Sequence, residues 1–104
     1  MNTTKIEAAR FKVSDTPVKF QIAKYQDGRV CLQLITDDET QEPYCTLTVN
    51  VEEADWILDD NEILVKTWSE NGPTAEVCLQ LGLFIDTGRR IPTGYAKAQI
   101  WKVC

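Results

Sequence analysis

The chain has 104 residues, 43% of them hydrophobic and 26% charged, which suits one domain with a single core. It contains no run of about 18 apolar residues, so no membrane-spanning helix is expected. It also has no histidine, which removes the commonest general base, metal ligand and partner of a Ser or Cys nucleophile.

Residues 1–7 lack the apolar core of a secretory signal and carry an early acid at Glu7, so a cytoplasmic protein is expected. Residues 4–13 read as a first strand with partial alternation, its phase unclear near Ala8-Ala9. Ser14-Asp15-Thr16-Pro17 is a turn. Val18, Phe20 and Ile22 alternate with Lys19 and Gln21, giving a strand with one apolar face, and Asp27-Gly28 after it signals a tight hairpin. Val30 to Ile35 reads as a more buried strand, followed by an acidic turn that Pro43 closes. In the next strand, 44–50, Cys45, Leu47 and Val49 share one face and Tyr44, Thr46, Thr48 and Asn50 the other. That polar face either meets solvent or serves as an interaction surface. Residues 18–50 thus form a three-stranded antiparallel meander.

Residues 51–62 read as an acidic connector pinned by Trp56, Ile57 and Leu58. Ile63-Leu64-Val65 is a short strand. Pro73 suits the first turn of a helix, and Ala75, Val77, Cys78 and Leu81 fall at helical spacing before Gly82, which predicts a helix over 73–81. Residues 86–94, with two glycines and Pro92, read as an exposed loop, and 95–103 as a closing strand. The fold class is α+β: an antiparallel sheet of about five to six strands with one short helix packed on one face.

The charge pattern is the clearest functional signal. Residues 1–36 carry a net +3, 37–62 carry −10 without a single Lys or Arg, and 63–104 carry +2. The acids of this belt are Asp37, Asp38, Glu39, Glu42, Glu52, Glu53, Asp55, Asp59, Asp60 and Glu62. A one-sign surface attracts a basic partner, and carboxylates at phosphate-like spacing can occupy a site built for nucleic acid. Trp56 among these acids is a candidate apolar anchor. The bland alternative is a solvated face that keeps the protein soluble. The strand 44–50 between the two acid groups spans only about 20 Å at ~3.3 Å per residue, so the groups can form one field or lie at opposite ends of the sheet.

Weaker signals point elsewhere. Cys31, Cys45, Cys78 and Cys104 form no C-x-x-C pair, which argues against zinc. The first three read as small buried hydrophobes and the last as an exposed thiol. Neither Asp37-Asp38-Glu39 nor Asp59-Asp60-Asn61-Glu62 has the spacing of a calcium loop. Arg89-Arg90 reads as a solvated pair able in principle to meet a phosphate or a carboxylate. Asp86-Thr87-Gly88 matches the triplet of aspartic proteases over three residues only, with arginines directly after it, and is discounted. No catalytic residue, metal or cofactor is expected.

Leu32 and Leu34, the acidic turn, Glu42-Pro43-Tyr44-Cys45-Thr46-Leu47-Thr48-Val49-Asn50, Ile63 to Val65, Pro73 to Leu81 and Thr93-Gly94 together form a pattern. It resembles that of a family of small uncharacterised proteins from bacteriophages, conjugative plasmids and other mobile elements. The resemblance covers roughly residues 30–103 and is most specific over Glu42 to Asn50; the chain departs from it at 66–72 and 1–25. It transfers no chemistry. It implies a counter-defence role, such as that of anti-CRISPR proteins, in which the acidic belt occupies a basic surface of a host CRISPR-Cas or other nucleic-acid-binding defence protein. The expected protein is non-enzymatic, binds no nucleic acid directly, touches no membrane and is a monomer or homodimer. The alternative is an accessory interaction module of a mobile element, used in replication or conjugation and bound to a partner from its own element.

Overall fold

The structure is a computed structural model that describes residues 2–51, 57–69 and 71–104. The first element is a short helix, α1 (Thr4–Ala8), where alternation predicted the start of a strand. Asn2 Oδ1 accepts the Thr4 N–H and the Thr3 carbonyl accepts the Glu7 N–H. One turn of helix buries Ile6 and leaves its neighbours in solvent.

Strand β1 (Arg10–Val13) then pairs antiparallel with β2 (Thr16–Lys24). Ser14 and Asp15 both have positive φ, 49° and 67°, so the tight two-residue hairpin lies here, its twist matching that of the strands. Asp27-Gly28 sits instead in a longer loop, residues 25–29, closed by the Tyr25 N–H to the Arg29 carbonyl and the Gly28 N–H to the Tyr25 carbonyl. Strand β3 (Val30–Thr36) returns along β2, and β4 (Pro43–Thr46) adds beside β3 with a bulge at Leu34/Ile35. The meander expected over 18–50 is therefore present, but its last strand stops at Thr46.

The remaining strands form a second antiparallel sheet in the order β5-β7-β6, built from β5 (Glu62–Val65), β6 (Phe84–Thr93) and β7 (Ala96–Val103). The fold is α+β, with seven strands among the described residues divided into sheets of four and three. Strand β6 corrects the loop expected over 86–94. Gly88, Pro92 and two arginines resemble loop composition, but this is an edge strand, where proline is tolerated. A bulge between Asp86 and Arg90 absorbs the irregular part.

Helix α2 (Asn71–Gln80) starts two residues before the expected position and contacts both β1 and β6, one edge strand of each sheet. Its buried residues, Asn71, Thr74, Ala75 and Cys78, recur at i, i+3, i+4 and i+7 and lie on one face. Asn71 Nδ2 donates to the Thr46 carbonyl at 2.8 Å, which ties the start of α2 to the end of β4.

Between the sheets lies the main core, with Val18, Leu32, Leu34, Leu47, Val65 and Trp101 fully buried. A line of rings crosses it from Phe11 to Phe20, Phe84 and Trp101, with centroids 5.2, 6.0 and 5.6 Å apart. These separations suit edge-on and tilted aromatic contact. Leu64, Ile91, Ala98 and Ile100 form a second cluster with Val49, Leu58 and Trp68. Residues 63, 65 and 101 thus point to one core and residues 64 and 100 to the other, so the second sheet is packed on both faces.

Phe84 carries contacts from both sheets, so Phe84→Ala is expected to cost about 3–5 kcal/mol, the usual range for a buried aromatic. Urea unfolding should show the loss as a lower midpoint at unchanged slope.

Candidate functional site

The acidic belt does not occupy one place. Asp37, Asp38, Glu39 and Glu42 lie in the turn after β3, whereas Asp59, Asp60 and Glu62 lie where the chain enters β5, beside the loop that precedes β3. The two groups therefore flank opposite ends of β3, whose length is about 20 Å at ~3.3 Å per residue. Glu52, Glu53, Asp55 and Trp56 fall outside the described residues.

Two of the acids in the 37–42 turn are engaged locally. Asp37 is paired with Arg10 at 3.6 Å and its N–H donates to the Pro17 carbonyl. Asp38 Oδ1 accepts from the Thr40 hydroxyl (2.7 Å), the Thr36 hydroxyl (2.9 Å) and the Gln41 and Thr40 backbone N–H groups. These donors, the Thr40 hydroxyl foremost, hold the Asp38 carboxyl below the usual carboxylate range. It organises the turn, whereas Glu39 and Glu42 stand exposed.

Beyond β4 the chain changes sheets. The Leu47 N–H still donates to the Leu32 carbonyl, but the Leu47 carbonyl accepts from Lys66 and the Val49 N–H donates to Leu64. Thr48 bridges to Val65. The Leu32 N–H donates to the Thr48 hydroxyl oxygen at 3.1 Å, and the Tyr25 hydroxyl lies 3.0 Å from the same atom. Thr48 is 3% exposed, so this member of the expected polar face is turned into the fold. Burial pushes the Tyr25 phenol up to about 12, the effect outweighing its Thr48 hydrogen bond.

This joint forms one side of an open cleft of about 390 Å³ between the sheets. Val30, Val49, Leu58, Ile63 and Leu64 supply its apolar part, and Tyr25 lies against them. Asp27, Asn50, Asp59 and Asp60 border it and are exposed. Asn50 Nδ2 donates to Asp27 Oδ2 at 3.1 Å, and the Arg29 N–H donates to Asp27 Oδ1 at 3.1 Å. The Arg29 backbone donor is the chief reason that the Asp27 carboxyl stays below its ordinary value.

Glu62 differs from the other belt acids. It is 8% exposed, forms an ion pair with Arg89, and accepts the Asp59 N–H at 2.9 Å. Burial opposes its charge, but the Arg89 guanidinium, the Asp59 N–H and Lys102 outweigh it and lower its pKa. Arg90 donates to both oxygens of Asp86, at 2.9 and 3.0 Å. Both arginines are exposed, as their sequence setting suggests, and each also meets a carboxylate of the chain itself. Asp86-Thr87-Gly88 is part of the β6 bulge, with the Thr87 hydroxyl donating to the Ile100 carbonyl at 2.7 Å.

The four cysteines are unbridged: Cys31 and Cys78 are buried, Cys45 is half-buried and Cys104 exposed. Among the described residues no group of three or more His, Cys, Asp or Glu is placed to hold a metal, and no helix is long and apolar enough to cross a membrane. No protein-family model matches the chain, and neither does any curated protein or solved structure.

Sequence reasoning missed Tyr25, Asp27, Thr48 and Asn50 as one constellation. Period-2 alternation puts Thr48 and Asn50 on one face, but nothing local says that this face turns against the 25–29 loop.

Thr48→Val keeps the shape of the side chain but leaves the Leu32 N–H buried without an acceptor, so a loss of about 1–3 kcal/mol is expected in urea unfolding. Thr48→Ser, which keeps the oxygen, should lose less. Glu62→Gln should lower stability at pH 7. Because the folded Glu62 pKa is depressed, its contribution is present above the ordinary glutamate value and disappears as pH falls through the folded one. Melting curves from pH 7 downward should therefore show the gap between wild type and variant narrowing in the acid range.

Proposed function

We propose that this chain is a non-enzymatic, cytoplasmic binding protein that presents carboxylates to a basic partner surface. The observation that carries the reading is the set of exposed acids at both ends of β3, Glu39 and Glu42 at one and Asp59 and Asp60 at the other, within a 26-residue stretch that contains no basic residue. Hydrogen bonds within the 36–42 turn and from the Asp59 N–H to Glu62 position the backbone that carries these acids. Among the described residues, the Tyr25–Thr48 and Glu62–Arg89 pairs tie elements of the fold together, and Asp86–Arg90 braces the β6 bulge. This supports binding rather than turnover.

The partner class we propose is a nucleic-acid-binding defence protein of a bacterial host, CRISPR-Cas complexes included, whose Lys and Arg would otherwise hold DNA or RNA. That part of the proposal draws on the resemblance to proteins of mobile elements, together with the phosphate-like character of a carboxylate array.

Affinity capture from a host lysate at low and high salt tests the proposal. A nucleic-acid-binding protein should be retained at low salt and released as salt rises. Combined replacement of Glu39, Glu42, Asp59 and Asp60 by Lys should weaken its binding by about tenfold or more while the domain stays folded. Retention that ignores both salt and these replacements would overturn the charge mechanism. Capture of proteins from the chain's own mobile element alone would point to an accessory module instead.

A further inference from the structure

The two acidic ends of β3 differ in what they offer a partner. In the 37–42 turn, Asp37 is paired with Arg10 and Asp38 is held by four hydrogen bonds from its own turn. At the other end, Asp59 and Asp60 stand exposed on the rim of the inter-sheet cleft, and Asp27 borders it from the opposite loop. Arg29 shares that rim and lies 3.9 Å from Asp27, while Glu62 is matched by Arg89. Arg89 also interacts with Asp59, so the exposed charge of Asp60, with what Arg89 leaves of Asp59, is the part that an incoming group can meet.

We propose that this cleft is a socket for one arginine or lysine side chain of a basic protein partner. The inference deepens the function proposed above and rests on its premise that the partner is basic. Arginine and lysine combine an apolar stem with a cationic head. Val30, Val49 and Leu58, all partly exposed, offer the stem a surface, and the head reaches Asp59 and Asp60 at the rim. A purely apolar group would cover the same surface but leave the rim carboxylates partly desolvated and unpaired, which is costly. A bare cation would gain the charge contact but leave the apolar surface uncovered. At about 390 Å³ the cleft lies near the lower end of the range of ligand pockets, ~300–1,000 Å³, with room for one long side chain and part of the segment that bears it.

The test is an NMR titration of the full ¹⁵N-labelled chain, at low salt, with a capped peptide of alternating Arg and Gly. A matched peptide with norleucine in place of Arg is the comparison. The Arg peptide should produce saturable shifts in residues 25–30, 49–50 and 58–64. The variant Asp59→Asn/Asp60→Asn should bind it about fivefold more weakly, the size of one partly exposed ion pair. Leu58→Ala should weaken it as well, and Glu39→Gln/Glu42→Gln should not. The amide spectrum of each variant reports whether it is folded. Shifts confined to the 37–42 turn, or equal losses in the two acid-neutralised variants, would overturn the socket and leave a basic partner in place. Equal binding of the norleucine peptide would overturn the cationic recognition. If no saturable shift occurs the socket is wrong, and the lysate capture, which uses no peptide, decides separately whether the basic-partner reading survives.

Discussion

At Thr48 the backbone passes from one sheet to the other, and a buried peptide group needs a partner while it does so. The Leu47 N–H still donates to the Leu32 carbonyl, but the Leu47 carbonyl accepts from Lys66 on the second sheet's side and is not the acceptor of the Leu32 N–H. The Thr48 hydroxyl supplies the missing acceptor and also meets the Tyr25 phenol. One short side chain thus lets the strand switch sheets without leaving an orphaned donor in the core, a defect that folded proteins rarely tolerate. The inter-sheet cleft lies beside that crossing, lined by Tyr25, Val49 and Asn50.

The rest of the architecture covers what the crossing leaves open. Helix α2 touches one edge strand of each sheet and covers the core with Ala75 and Cys78. Asn71 fixes its start against Thr46, just before the crossing. The aromatic line from Phe11 to Trp101 makes the same connection through the interior, since its first two rings belong to one sheet and its last two to the other. Edge-strand problems are met by irregularity: β6 carries a bulge, Pro92 and two ion-paired arginines, features that discourage pairing with another chain.

Charge follows a division of labour that composition hides. Asp38 and Glu62 belong to the acidic belt by sequence but act inside the fold, one shaping a turn and the other anchoring the entry to β5 against Arg89. Each is held ionised by its donors, against the cost of burial in the case of Glu62. Exposed members such as Glu39, Glu42, Asp59 and Asp60 are the ones whose field extends into solvent. A count of carboxylates along the chain therefore overstates the charge available to a partner.

The sequence by itself determined the α+β class, the meander from β2 to β4, the short strand at 63–65 and the helix that ends before Gly82. These rest on period-2 and period-3.6 patterns and on turn residues, which act over a few positions. It did not reveal α1, because one helical turn has too few residues to show a period. It did not reveal β6, because an edge strand with a bulge shares its composition with loops. The tight turn went to Ser14-Asp15 rather than to Asp27-Gly28, since the register of the strands, and not the dipeptide alone, selects loop length. Only the tertiary structure decided that the strands divide into two sheets, that Thr48 is buried, that Glu62 finds Arg89 and that the acids separate to opposite ends of β3. Each of these depends on contacts between residues far apart in the chain, such as the 27 positions between Glu62 and Arg89, and no local pattern encodes which distant group will arrive.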